Sequence, residues 1–203
     1  MQIVSLSMAT AKRKKASKKD FILRRAAAMF SEKGYSATSM RDLADAVGIE
    51  AASLYNHIQS KAEILQEIIF RMTNDCNVHI GELEKGKLSN IKKVESLIRF
   101  HVQMMMYQCD DYTVMINEWM HLPEPYLTNF NIQRRQYVVK MEKIITDGFQ
   151  QGEMKNIAPY VAVLTLLSSV RGLEFWHRSS QKISPQKIED DMVNFLIKGL
   201  KKN

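Results

Sequence analysis

The chain is predicted to be all-α and built in two helical parts, and three observations carry that expectation. Apolar residues recur at the 3, 4, 7 spacing of helix faces, with no sustained period-two alternation that would suggest a sheet. Hydroxyl and acidic residues suited to helix N-termini stand ahead of several apolar runs. Only eight Gly and four Pro punctuate 203 residues, so helices can run long.

The first helix is expected over residues 17–33, with Phe21, Ile22, Ala26, Met29 and Phe30 as its apolar stripe and Gly34 as its C-cap. A second follows over 38–47. Thr38 and Ser39 offer hydroxyls to the first-turn amides, Asp42 adds negative charge there, and Met40, Leu43, Ala44 and Val47 share one face. Gly48 then stands where a sharp reversal needs a positive φ. A third helix spans about 50–57. Ile49, Ala52 and Leu54 are available to bury, leaving Ala51, Ser53, Tyr55 and Asn56 pointing outward. Two short helices joined at a glycine, with small hydrogen-bonding side chains outside, form a helix-turn-helix that fits the major groove. A bare hairpin in an all-α core has the same local pattern, so the flanking elements decide. Ser60 and Glu63 make an S-x-x-E capping box, and Lys61 beside it is placed to meet a phosphate.

Charge supports DNA binding independently. Residues 1–61 carry eleven Lys or Arg against five acids, a net of +6 out of the chain's +7. The field is therefore concentrated on one end, as phosphate binding by counterion release requires. Residues 1–16, with Lys12, Arg13, Lys14 and Lys15, are expected to be a disordered basic arm, residues 17–61 the DNA-binding domain, and 62–203 a second domain. Met8, just ahead of the basic run, is an alternative start to Met1.

Beyond residue 61 six further helices are expected, giving about nine: a linking helix over 60–84, then 91–108, 111–121, 125–151, a segment from Pro159 to Arg178, and Ser184-Pro185 opening the last, to Leu200. No run approaches 18 apolar residues and the N-terminus lacks the order of a secretory signal, which points to the cytoplasm and to no membrane span. Cys76 and Cys109 form no C-x-x-C pair and are expected to be reduced. The five His are scattered, with no H-E-x-x-H, phosphate loop or nucleophile elbow, so neither catalysis nor a metal or other cofactor is expected. A helical adaptor or membrane-surface protein using the basic arm on anionic lipid is the alternative class; it needs an exposed amphipathic basic helix, whereas the first helix's stripe is required by the core.

The string KKDFILRRAAAMFSEKGYSATSMRDLADAVGIEAASLYNHIQSK closely resembles the N-terminal DNA-binding domain of the TetR family of bacterial transcriptional repressors, through its AxxxFxxxGY, TSMRDLA, VGI, SLYNH and SK elements. Glu50 stands where that family commonly has a Ser or Thr N-cap, and Ile58 replaces a common Phe. The segments NEWMHLPEPY, RRQYVVKMEKIITDGFQQGEM and Ala162–Ile188 resemble the effector domain of the branch that senses acyl-CoA thioesters, although Arg171 and Gly172 stand where an Asn-Trp pair is usual. The resemblance implies that residues 62–203 are an effector-binding and dimerisation domain, and that the protein is a homodimer on a palindromic double-stranded operator, released by a small hydrophobic or amphipathic effector such as an acyl-CoA. A free fatty acid, aromatic acid or xenobiotic is the alternative effector.

Expected DNA-binding residues are Thr38, Ser39, Met40, Arg41, Ala51, Ala52, Ser53, Tyr55, Asn56, His57 and Lys61. For the effector, large soft residues (Met104, Met105, Tyr107, Met115, Trp119, Met120, Phe175) and polar ones among apolar neighbours (His101, Glu118, Arg134, Arg171) are the candidates. Arg134 or Arg171 is expected either to meet an anionic ligand group or to pair internally with Glu118 or Glu174. Val161, Leu164, Thr165 and Ser168, with Ile188, Met192 and Phe195, form the expected faces of a four-helix dimer interface.

Overall fold

The computed structural model describes residues 17–177, 179 and 183–202. The basic arm and Arg178 lie outside the described residues. Ten α-helical segments and one 3-10 turn account for the fold: α1 Lys18–Lys33, α2 Met40–Val47, α3 Ala51–Tyr55, α4 Lys61–Lys85, α5 Asn90–Tyr107, α6 Cys109–Asn117, the turn Trp119–His121, α7 Tyr126–Gln150, α8 Pro159–Arg171, α9 Glu174–His177 and α10 Pro185–Leu200. Two of the expected helices differ. The one placed over 111–121 ends at Asn117 and finishes as the 3-10 turn, and the one from Pro159 breaks at Gly172, leaving α9 as a single turn. The described residues contain no strand, only an isolated antiparallel bridge between Met154 and Lys201.

Local chemistry explains the boundaries. Ser17–Asp20 and Ser39–Asp42 are reciprocal capping boxes, each serine hydroxyl accepting an amide while the aspartate accepts the serine's own N–H. The box expected at Ser60 is only half formed. Ser60 Oγ accepts the Glu63 amide at 3.1 Å, but the Glu63 carboxylate takes the Gln59 N–H at 2.7 Å and pairs with Lys19. Gly48 adopts φ 72° and ψ 37°, the left-handed conformation that ends α2 and fixes the turn.

In the head, Ile22, Leu23, Ala26, Ala27 and Phe30 of α1 close over Leu43, Ala44, Leu54 and Ile58. Phe21 is exposed instead of joining the stripe; Leu23 and Ala27 take that place. Behind the head, α4 passes into a bundle with α5, α6, α7 and α8, and α1 lies against α6. Arg99 on α5 meets Glu189 and Asp190, tying α10 to the bundle. No helix among the described residues is long and apolar enough to cross a membrane.

Candidate functional site

The face expected to read the groove is built on a helix of only five residues, Ala51–Tyr55. Leu54 and the following Ile58 anchor it in the core, which turns Ala51, Ala52, Tyr55 and Asn56 to solvent, with Ser53 and His57 half-buried. Ala52 is therefore outside, not on the buried side where spacing also allowed it. Glu50 is the N-cap and makes no side-chain cap bond. At the start of α2, Ser39 and Arg41 are exposed, while Met40 packs against the core.

Two expected DNA contacts have other engagements. Thr38 is 2% exposed and donates its hydroxyl to the Gly34 carbonyl at 3.0 Å, so it shapes the turn instead of facing a groove. Lys61 donates to the carbonyl oxygens of Tyr35 and Thr38, both at 2.8 Å, and its Nζ sits 4.2 Å over the Tyr35 ring. With two of three N–H groups on backbone carbonyls, its ammonium clamps the α1–α2 turn.

The effector domain encloses a cavity of about 290 Å³ between α4, α5, α6, α7 and α8. Of the eleven expected residues, His101, Met115, Trp119, Arg134 and Arg171 line it. Met104 and Met105 are buried but pack in the core, the Cys76 thiol lying 3.9 Å from Met104 Sδ. Tyr107, Met120 and Phe175 are exposed, the last at 75%. Tyr107 is the final residue of α5, and the 3-10 turn brings Trp119 inward while throwing Met120 out. Glu118 faces away, its carboxylate 3.4 Å from His121 Nε2. The wall also contains residues that spacing did not single out, among them Thr73 and Asn77 on α4, Tyr112 on α6, and Phe130, Gln133 and Tyr137 on α7. Tyr112 and Tyr137 carried a usable signal: each is a polar-tipped ring within an otherwise apolar helix face.

Charge in the cavity is one-sided, since two arginines and no carboxylate are among the described residues that line it. Both arginines are exposed and mark its mouth. Arg134 lies over the Trp119 ring at 5.3 Å, and Arg171 donates to the Asn117 side-chain oxygen, so neither pairs with Glu118. Deeper in the wall, His101 bridges two hydroxyls: Tyr112 Oη at 3.0 Å from Nδ1 and Tyr137 Oη at 2.8 Å from Nε2. Burial, reinforced by His79, pushes the His101 ring down to about 3, and burial raises both tyrosines, so all three are neutral.

Cavity and head are physically joined at the 3-10 turn. Trp119 lines the cavity, and His121, two residues on, stacks on Tyr35 with centroids 5.2 Å apart and planes at 25°. Tyr35 is the residue whose carbonyl and ring hold Lys61.

Val161, Leu164, Thr165 and Ser168 of α8 and Phe195 of α10 are exposed, with Met192 half-buried beside Phe195. Leu164 and Ser168 also line the cavity. Ile188 belongs to the protomer core, where it is buried, and does not extend this face.

A helix-turn-helix head packed on a helical domain with its own cavity is the architecture of a DNA-binding transcriptional regulator. The chain belongs to the TetR family: the model for bacterial regulatory proteins of the tetR family matches residues 22–68, and that for the tetracyclin repressor-like C-terminal domain matches 87–200. Proteins of this family are DNA-binding regulators and not enzymes. The chain is 25% identical over 194 residues to the repressor KstR2 of Mycolicibacterium smegmatis, covering 91% of each. It is 28% identical to IcaR, negative regulator of the biofilm operon icaADBC in Staphylococcus aureus, over 91% of this chain and all of that one. The solved structure of KstR2 from Mycobacterium tuberculosis superposes with a TM-score of 0.84 at 20% identity, covering 92% of this chain and 96% of that one. AibR, solved with isovaleryl coenzyme A and operator DNA, superposes at 0.76 and 21% identity, covering 89% and 98%.

Proposed function

We propose that the protein is a TetR-type repressor that binds a palindromic operator as a homodimer and releases it when an amphipathic anion, an acyl-CoA thioester, enters the cavity. The observation that carries the effector class is the pairing of an apolar cavity with two arginines at its mouth and no carboxylate on its described wall. Such a site accepts an apolar group inside and negative charge outside, and two cations with no ion pair among the described residues favour an anion over a neutral xenobiotic. The repressors KstR2 and IcaR support the repressor reading, and the AibR complex with isovaleryl coenzyme A supports the effector class.

In this scheme α3 and the start of α2 enter the major groove, with Ser53, Tyr55, Asn56 and His57 nearest the bases and Arg41 and the N-terminal basic residues on phosphates. A single five-residue reading helix covers few base pairs. Two heads spaced about 34–36 Å apart, joined through α8 and α10, supply the rest. Effector binding moves Trp119, and the His121–Tyr35 stack transmits that shift to the turn clamped by Lys61, changing the heads' separation. The effector acts by binding the released state more tightly than the DNA-bound one.

The test is duplex selection with the purified protein, followed by a panel of acyl-CoA thioesters, free fatty acids and aromatic acids scored for release. The expected result is a palindromic site released by a thioester. Release by an uncharged compound and by no thioester would overturn the effector class.

A further inference from the structure

The Tyr112–His101–Tyr137 relay leaves one hydrogen without an acceptor. A neutral imidazole has one N–H and one bare nitrogen, and each hydroxyl has one O–H, so three hydrogens serve two contacts. In one tautomer His101 donates to Tyr112 and accepts from Tyr137; in the other the roles reverse. Either way one tyrosine hydroxyl is already an acceptor from His101, and its own O–H has no partner among the described residues. All three side chains are over nine-tenths buried and all three line the cavity. A buried donor left unpaired costs about 1–3 kcal/mol, and an acceptor in the cavity relieves it.

We propose that this relay is the cavity's recognition element for a neutral oxygen acceptor on the effector, the carbonyl of a thioester, to which it donates one hydrogen bond. The relay rests on the effector assignment above and adds a requirement to it: the ligand carries a carbonyl on its apolar portion, in addition to negative charge at the mouth. Because the ring can change tautomer, either hydroxyl can be the donor. A rigid single donor would fix one ligand pose; the relay serves a carbonyl reaching the wall near Tyr112 or near Tyr137.

The experiment compares hexanoyl-CoA with S-hexyl-CoA, the thioether that lacks only the carbonyl oxygen, by calorimetric Kd on the full-length protein. The expected wild-type preference for the thioester is about fivefold, the value of one ordinary neutral hydrogen bond. Each single variant, Tyr112→Phe or Tyr137→Phe, keeps the preference, since the remaining hydroxyl accepts from His101 and turns its O–H to the ligand. The double variant loses it, because the ring nitrogens stand 2.8–3.0 Å short of where the hydroxyl oxygens were. Operator affinity of the same variants reports their folding. Equal wild-type affinities, or a preference that survives the double variant, would overturn the relay while leaving the effector class in place. Failure of both ligands to bind would overturn the effector class and the relay with it.

Discussion

Replacing Phe195 with Ser should break the dimer while leaving the protomer folded. Phe195 is 79% exposed in the single chain and lines a shallow groove with Ser169 of α8 and Met192 of α10. A phenylalanine side chain presents on the order of 200 Å² to bury, so roughly 160 Å² is available, equivalent to about 4 kcal/mol per protomer and about 8 for a symmetric pair. Taking half, since a helix pair does not fully enclose each ring, leaves about 4 kcal/mol, or close to a thousandfold in the dimer dissociation constant. Sedimentation equilibrium measures that constant, and far-ultraviolet circular dichroism checks that helix content is retained. A variant that dimerises as tightly as the parent would refute the assignment of α8 and α10 as the interface.

The head and the bundle give further predictions. Arg41→Ala should lower operator affinity and reduce the slope of log affinity against log salt by about 0.9, one phosphate's worth, whereas Lys61→Ala should lower affinity with the slope unchanged because its ammonium holds two carbonyls. A reduced slope for Lys61→Ala in fluorescence anisotropy titrations would restore it to the phosphates. His121→Ala should leave effector Kd unaltered yet weaken effector-driven operator release by about 0.5–1.5 kcal/mol, the range for an aromatic pair; unchanged release would remove the Tyr35 stack from the coupling. Stability should fall on acidification. Burial holds His79 at about 4 and His101 at about 3, so below the free-imidazole value near 6.5 the unfolded chain takes up protons that the folded one refuses. Between pH 6 and 5 each ring then contributes up to about 1.4 kcal/mol of lost stability per pH unit, and none above pH 7.5. Urea unfolding of His101→Gln should show a shallower dependence in that window; an equal slope would mean that His101 is protonated in the fold.

Capping chemistry was legible because it is local. Ser39, Asp42 and Gly48 act within one turn of chain, and the structure has them in the expected roles. The recognition face depends on how α3 sits in its core, which spacing alone left open at Ala52. Thr38 and Lys61 have engagements that spacing does not reveal for a related reason: only the folded turn brings backbone carbonyls within reach of both polar side chains. In the effector domain, helix existence was plain from periodicity, but a cavity is where faces of five helices converge. Met104, Met105 and Met115 are alike in composition, yet only Met115 reaches the space. The Tyr112–His101–Tyr137 relay joins three helices, and no single helix's pattern contains it.

The coupling between cavity and head is tested most directly by the affinity of the wild-type protein for its selected palindromic duplex, followed by fluorescence anisotropy as an acyl-CoA thioester is added. The predicted result is operator Kd rising at least tenfold and levelling off when one ligand per protomer is bound. An operator Kd that stays constant while calorimetry shows the cavity filled would contradict it.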